Sequence, residues 1–219
     1  MLKLIAPNTE HLNKILDIYL SSDGNKMNDA LSNLFVFFNN KDKHEILIKA
    51  VAINQIYSTA ILNIYPVVDK IFTNTEIDQR VSINYYIKLV DKIAEINWIA
   101  KNGKNKRRCN LSFSSKYVHF LSNKAIPIYD SYVWILITGY LNQNSQTKIR
   151  TNEPKNYSEF YIIYKEFVNL FNLNTLNVYK IDKFLWQYCY ILLDNISKEN
   201  NITINKSKPI LKKLIKEGE

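Results

Sequence analysis

The sequence has 219 residues, 47% of them hydrophobic, with only 4 glycines and 5 prolines. That is enough apolar material for one domain or two closely packed lobes, and too little turn chemistry for a strand-rich sandwich or barrel. Lysine and arginine total 29 against 20 acidic residues, a formal charge of +9. Such a surplus suits a polyanionic partner, because neutralised phosphates release counterions. The crowding of Lys, Asn, Ile and Tyr also matches AT-rich codon usage, so where the cations sit matters more than their total.

The longest apolar run, 132–141, is about half the length a bilayer span requires. The first seven residues lack the apolar stretch and cleavage site of a secretory signal, so the expected compartment is the cytoplasm, without a membrane partner. Cys109 and Cys189 have no CxxC or Cys/His cluster nearby, and His11, His44 and His119 share no metal-ligand spacing. Neither a metal nor another cofactor is expected.

The apolar periodicity is helical almost throughout. Thr9 can cap a first helix carrying His11, Leu12, Ile15, Leu16, Tyr19 and Leu20, which stops near Asp23-Gly24. A second helix covers about 25–38. A third starts near Asp42 and runs past Ile46, Ile53 and Ile61 to a break at Pro66. Thr75 opens a long segment over 76–101, with Val81, Tyr85, Leu89, Ile93 and Ile96 at helical spacing. A polar, basic connector follows over 101–110. Ser112 can cap a short helix through Leu121, and 127–142 makes another. The stretch 143–156 reads as a loop, two helices follow at about 158–173 and 178–199, and 206–219 is a basic tail. With no repeat and no alternating strand, the expected fold class is all-α. The expected organisation is one globular unit, with a lobe from 1–100 plus 157–199, a second region at 101–142, the loop, and a basic tail over 200–219.

Three segments carry possible chemistry. Five of the eight residues from 101 to 108 are basic (Lys101, Lys104, Lys106, Arg107 and Arg108), and Gly103 sits among them. A glycine lets backbone approach a phosphate, and the helix start at Ser112 offers free N–H groups, so the connector reads either as an anion site or as a solvated loop. Next, Lys116 and His119 share one short helix, and Asp130 follows a proline turn. Asp130 reads as a carboxylate that activates water or stabilises a developing cation, or simply as a helix cap. Taken alone, Lys116 reads as a surface lysine and His119 as a half-buried core histidine. Lastly, Asn54, Gln55, Tyr57, Ser58 and Thr59 interrupt an apolar segment, which calls for an internal hydrogen-bond network or a binding groove. The aromatics Tyr161, Tyr164, Phe167, Phe171, Phe184, Trp186, Tyr188 and Tyr190 lie at helical spacings and read as core.

The stretch Ser112-Phe-Ser-Ser-Lys-Tyr-Val-His-Phe120, with Pro127-Ile-Tyr-Asp-Ser-Tyr-Val133, resembles the helix-hairpin-helix DNA glycosylases of the 8-oxoguanine type. Ile53-Asn-Gln-Ile-Tyr-Ser-Thr59 and Ile181-Asp-Lys-Phe-Leu-Trp-Gln-Tyr188 add weaker support. The resemblance implies two helical lobes around a cleft, a backbone-binding hairpin where the basic connector lies, and a catalytic aspartate at Asp130. It further implies that Lys116 contacts a phosphate or forms a Schiff base, that Asn54 and Tyr57 fill the gap left by a flipped nucleotide, and that His119 and Tyr129 line the base pocket. The partner is then double-stranded DNA with a damaged or modified base, bound by a monomer and serving repair or anti-phage defence. This sequence departs from that pattern in its hairpin, where Gly103 is the one glycine. The position of the nucleophilic lysine of bifunctional members falls near Ser112, which favours a monofunctional enzyme, and iron–sulfur cysteines are absent. A non-catalytic DNA-binding or regulatory protein on the same scaffold is the alternative. A third reading is a helical interaction protein, for example a toxin or antitoxin component, whose basic surface meets an acidic protein.

Overall fold

The computed structural model describes residues 2–75, 82–99, 103–144 and 153–216. Within them the chain is predominantly helical. The helices are α1 (Thr9–Leu20), α2 (Asp23–Phe37), α3 (Lys43–Ile56), α4 (Tyr65–Asn74), α5 (Ile83–Ala94), α6 (Leu111–Leu121), α7 (Ser131–Asn144), α8 (Tyr157–Leu170), α9 (Val178–Asn200) and α10 (Ile204–Lys216). Strands β1 (Glu95–Ile99) and β2 (Asn105–Cys109) form an antiparallel pair between α5 and α6, with Glu95 opposite Cys109 and Asn97 opposite Arg107.

Short polar side chains start the helices by accepting from otherwise orphaned N–H groups. Asn8, not Thr9, caps α1 through His11 N, while Asp42 caps α3, Ser82 caps α5 and Asn177 caps α9. Pro66 does not break a long helix. The helix has already ended at Ile56, and Pro66 sits in the first turn of α4, where its missing N–H costs nothing. Ser112 lies inside α6, whose cap position is Asn110. The segment expected to stay helical to residue 101 leaves the helix at Ala94 and becomes β1. Of that expectation, 76–81 and 100–101 lie outside the described residues, as do 145–152 of the expected loop.

The chain divides into two compact units. The terminal unit comprises Met1–Ser22, Asp130–Pro154 and Ile162–Glu219, and the central unit Asp23–Tyr129 with Lys155–Tyr161. In the central unit, Ile46, Ala50 and Ile53 of α3, Val67 and Ile71 of α4, Val90 and Ile93 of α5, and Phe113 and Val118 of α6 build the core. Lys49 of α3 is fully buried among them. Its Nζ donates to the Phe38 carbonyl at 2.9 Å and stands 4.7 Å from the Phe35 ring centre. In the terminal unit, α9 packs on α1, α7 and α10. His11 lies edge-on to Phe184 and Tyr188 in its core. Asp182 and Lys183, neighbours in sequence, form a buried ion pair at 3.0 Å. The N-terminal segment is tied in by Leu2 N to Leu214 O, Leu4 N to Gln143 Oε1 and Tyr140 Oη to Ile5 O.

Helix α7 approaches α10 closely at Gly139, where a Cβ would lie 2.8 Å from Ile215 Cγ2 and 3.0 Å from Leu4 Cδ1. Gly139→Ala is therefore expected to lower stability by about 1–3 kcal/mol in urea melts, the usual cost of overpacking. An unchanged midpoint would show that those two methyl groups yield freely.

Burial pulls the Lys49 ammonium down from 10.5 to about 8, against a weaker opposing pull from Glu45. The unfolded chain therefore holds more protons between about pH 8 and 10.5, and stability rises with pH across that window. Below it the penalty is fully present, at roughly 3 kcal/mol. Lys49→Met should remove this rise, so the gap between variant and wild type in denaturant melts narrows from pH 7 to pH 10. Parallel curves would contradict it.

Candidate functional site

The basic connector is largely a strand. Residues 105–109 form β2, and Gly103 has a φ of 74°, the left-handed geometry that glycine supplies in a turn. Gly103, Lys104, Arg107 and Arg108 are exposed. Lys101 lies outside the described residues, and of Lys106 the structure gives the backbone alone, opposite Trp98. Arg107 pairs with Glu95, its cross-strand diagonal neighbour, in an exposed bridge worth under about 1 kcal/mol. Arg108 reaches from β2 to donate to the Ala60 carbonyl at 2.7 Å.

That second bond fastens the loop between α3 and α4. Asn54 Oδ1 accepts from Ile61 N at 2.9 Å and Thr59 Oγ1 at 2.8 Å, and its Nδ2 donates to Ile61 O at 3.1 Å. Ser58 and Ala60 hold positive φ values of 48° and 57°, a strained choice for residues with a Cβ. The braced loop presents Leu62 at 96% exposure. Of the two readings of 53–61, the hydrogen-bond network is present, and Asn54 is part of it. Tyr57 donates to Asn28 Oδ1 at 2.6 Å.

Helix α6 places its candidate residues inward. Lys116, only 2% exposed, is not a surface lysine. Its Nζ donates to Ser112 Oγ at 2.7 Å and lies 5.2 Å from the Tyr57 ring centre. His119 is fully buried, and its Nδ1 meets the Ile126 carbonyl at 2.6 Å. A carbonyl only accepts, so Nδ1 carries the proton. Ser115 Oγ accepts from Tyr129 N at 3.0 Å, and the Tyr157 hydroxyl donates to Pro127 O. Tyr129 is buried edge-on against Phe160. His119 and Tyr129 thus belong to the packing of the proline turn.

Asp130 opens the terminal unit's α7. Its backbone carbonyl accepts from Trp134 N and its Oδ1 from Tyr132 N, both at 2.9 Å, and the residue is half-buried. Tyr132 stacks on Trp186 at 6.0 Å between ring centres, and Trp186 on Tyr190 at 5.5 Å, nearly parallel. Lys208 of α10 donates to Ser131 Oγ at 3.1 Å and lies 4.7 Å from the Tyr132 ring centre. Burial pushes the Tyr132 hydroxyl up, and Asp130 adds to the shift. Burial likewise pushes up the Cys189 thiol, which Asp130 raises further and Lys208 lowers. A carboxylate, an ammonium and three half-exposed aromatic rings therefore share one neighbourhood.

Tyr132, Trp186, Tyr190 and Lys208 of the terminal unit, and separately Leu62 of the central unit, lie outside the expected site residues. Two signals were available for the rings. Phe184/Tyr188 and Trp186/Tyr190 are both i, i+4 pairs, on opposite faces of one helix, and a helix buried on one side has no need of both. Nothing in the sequence marks Leu62. Among the described residues, no three His, Cys, Asp or Glu side chains gather as metal ligands would, and no helix is long and apolar enough to cross a membrane.

Residues 9–125, more than half of the chain, match the family model HI_0787_N, N-terminal domain. An uncharacterized protein of Haemophilus influenzae is 29% identical over 126 residues, which cover 58% of this chain and 59% of that protein. The chain thus spans about 59% of the length of the curated relative it matches. No solved structure matches. Asp130 lies just past the matched stretch, while the β1–β2 pair, the braced loop and α6 fall inside it. On that match the chain belongs to the HI_0787_N N-terminal-domain family.

Proposed function

We propose that the protein is a DNA glycosylase-like enzyme that flips a damaged or modified base from duplex DNA and hydrolyses its N-glycosidic bond. The carrying observation is Asp130, a half-buried carboxylate at the start of α7 beside Lys208 and the Tyr132–Trp186–Tyr190 stack. As the base leaves with the bonding electrons, positive charge develops on the sugar. The Asp130 carboxylate stabilises that charge and takes a proton from the attacking water. Stacked rings beside the carboxylate suit a planar base.

Lys116 braces Ser112 from inside α6, which supports hydrolysis by water over a lysine Schiff base. Asn54 and Tyr57 use their polar groups inside the central unit, whose exposed loop residue Leu62 is the better candidate for a wedge into DNA. An exposed apolar side chain on a loop that Arg108 braces is the chemistry of a wedge between base steps. The exposed cations of the β1–β2 pair hold the phosphate backbone. Substrates of this chemistry are an oxidised purine, in repair, or a modified base of phage DNA, in defence.

One observation favours the alternative, a DNA-binding protein without catalysis. The Asp130 Oδ1 bond to Tyr132 N is a complete helix cap. Asp130→Asn separates the two, because asparagine caps as well as aspartate but carries no charge. With a panel of oxidised and phage-modified duplexes, the variant should bind normally and release base about 10²–10⁴-fold more slowly. Release at the wild-type rate would leave Asp130 a cap, and no release by either protein would favour the non-catalytic reading.

Leu62→Ala should leave the melting temperature within about 2 °C, since an exposed side chain contributes little. It should slow base release roughly tenfold, the worth of about 1.4 kcal/mol of unstacking. Unaltered release would remove Leu62 from the mechanism.

A further inference from the structure

Ser112 and Lys116 stand one turn apart on α6, so their side chains share a face of that helix. Lys116 Nζ bonds Ser112 Oγ at 2.7 Å. The lysine is 2% exposed, whereas Ser112 is half-buried and keeps part of its surface in solvent. The Tyr57 ring, 5.2 Å from Nζ, covers another side of the amine, and Tyr57 is itself held by its bond to Asn28. A half-exposed hydroxyl can bond water and has no structural need of a buried amine, whereas a serine nucleophile requires an adjacent base. Ser112 is also the second residue of α6, whose cap position is held by Asn110 without a side-chain bond to the first turn. Among the described residues, the amides of Ser112 and Phe113 thus have no side-chain acceptor, and a helix N-terminus favours negative charge.

From this arrangement we infer that Ser112 and Lys116 form a catalytic dyad that cleaves a carboxylic ester. The inference does not rest on the DNA reading, and every group it uses lies in the central unit. Lys116, in its amine form, takes the Ser112 Oγ proton as Oγ bonds to the ester carbonyl carbon. The carbonyl π electrons move onto oxygen, and the first-turn N–H groups of α6, that of Ser112 among them, stabilise the oxyanion. When the bond from that carbon to the alcohol oxygen breaks, its electron pair leaves with the oxygen, and the Lys116 ammonium protonates it. Water then attacks the acyl-serine with Lys116 again as base, which releases the acid and restores the Ser112 hydroxyl.

The test is covalent labelling of the full chain with a fluorophosphonate, which loses fluoride to an activated serine, read by intact mass and peptide mapping. Wild type should take up a single label on the peptide that carries Ser112, and should hydrolyse p-nitrophenyl acetate until it is labelled. Ser112→Ala should abolish both reactions. Lys116→Met, folded by circular dichroism, should slow labelling by about 10²–10⁴-fold, the worth of a general base. Should Lys116→Met fail to fold, Lys116→Arg should show the same slowing, because a guanidinium keeps the charge but does not accept a proton. Wild type without a label, or labelled at another residue, overturns the dyad. Labelling of Ser112 at an unchanged rate in the Lys116 variant also overturns it, and leaves the lysine a buried brace.

Discussion

His119 Nδ1–H on the Ile126 carbonyl, Ser115 Oγ on the Tyr129 amide, and the Tyr157 hydroxyl on the Pro127 carbonyl fasten the turn 126–129 from three sides. All three side chains are fully buried, so the backbone groups they satisfy have no water to fall back on. A buried polar group left unmade costs about 1–3 kcal/mol, and three together leave the turn one low-energy arrangement. The next residue is Asp130, whose own carbonyl is already the first acceptor of α7. Its backbone is therefore set by α7 within the terminal unit. The Asp130 side chain is held in turn by accepting from Tyr132 N, while His119 and Tyr129 are part of the packing of the turn that precedes it.

Buried cations are the second constraint. Lys49, Lys116 and Lys183 are all under 5% exposed, and each has an answering group. Lys49 has the Phe38 carbonyl and Phe35 ring, Lys116 has Ser112 and the Tyr57 ring, and Lys183 has Asp182 with the Tyr19 and Tyr179 rings. An ammonium removed from water loses several kcal/mol of solvation, which hydrogen bonds and ring faces only partly return. These lysines therefore contribute to the formal charge but not to the field that a polyanion meets. Cations that do reach solvent include Lys104, Arg107 and Arg108 around β2 and Lys213 and Lys216 on α10.

Most helices were legible in the sequence because apolar residues recur at helical spacing; α4 was not, because Pro66 at its start looks like the end of the helix before it. Helix ends were less so. Pro66 was read as a break although proline suits a first turn, and Ser112 was read as a cap although Asn110 precedes it. The β1–β2 pair escaped because Asn105 to Cys109 contains no apolar alternation; its pairing is local and half-solvated. The Asn102-Gly103 dipeptide was the available hairpin signal. At the site, Asp130 was legible from its proline turn, and Asn54 as a polar residue needing partners. The inward course of Lys116 was not, since tertiary packing chooses which face of α6 is buried. Lys208 and Trp186 come from sequence-distant helices, and no local pattern ties them to Asp130.

A glycosylase that relies on a carboxylate faces an electrostatic conflict. The carboxylate must stand near a polyanion before any positive charge exists on the sugar. Two unit charges of like sign 4 Å apart repel by about 1 kcal/mol in water and by about 4 kcal/mol at the effective dielectric of a protein surface. On the glycosylase proposal the compensating charge comes from Lys208 of α10, which is bonded to the residue after Asp130. Its ammonium also lies over Tyr132, so one side chain links the cationic helix, the aromatic stack and the start of α7. On that proposal its ground-state role is to offset repulsion between Asp130 and an incoming phosphate. Once the glycosidic bond stretches, the attraction between Asp130 and the sugar is new, whereas the Lys208 contacts are unchanged. That difference between ground and transition states is what accelerates a reaction, and it makes α10 a working part of the site on the glycosylase reading.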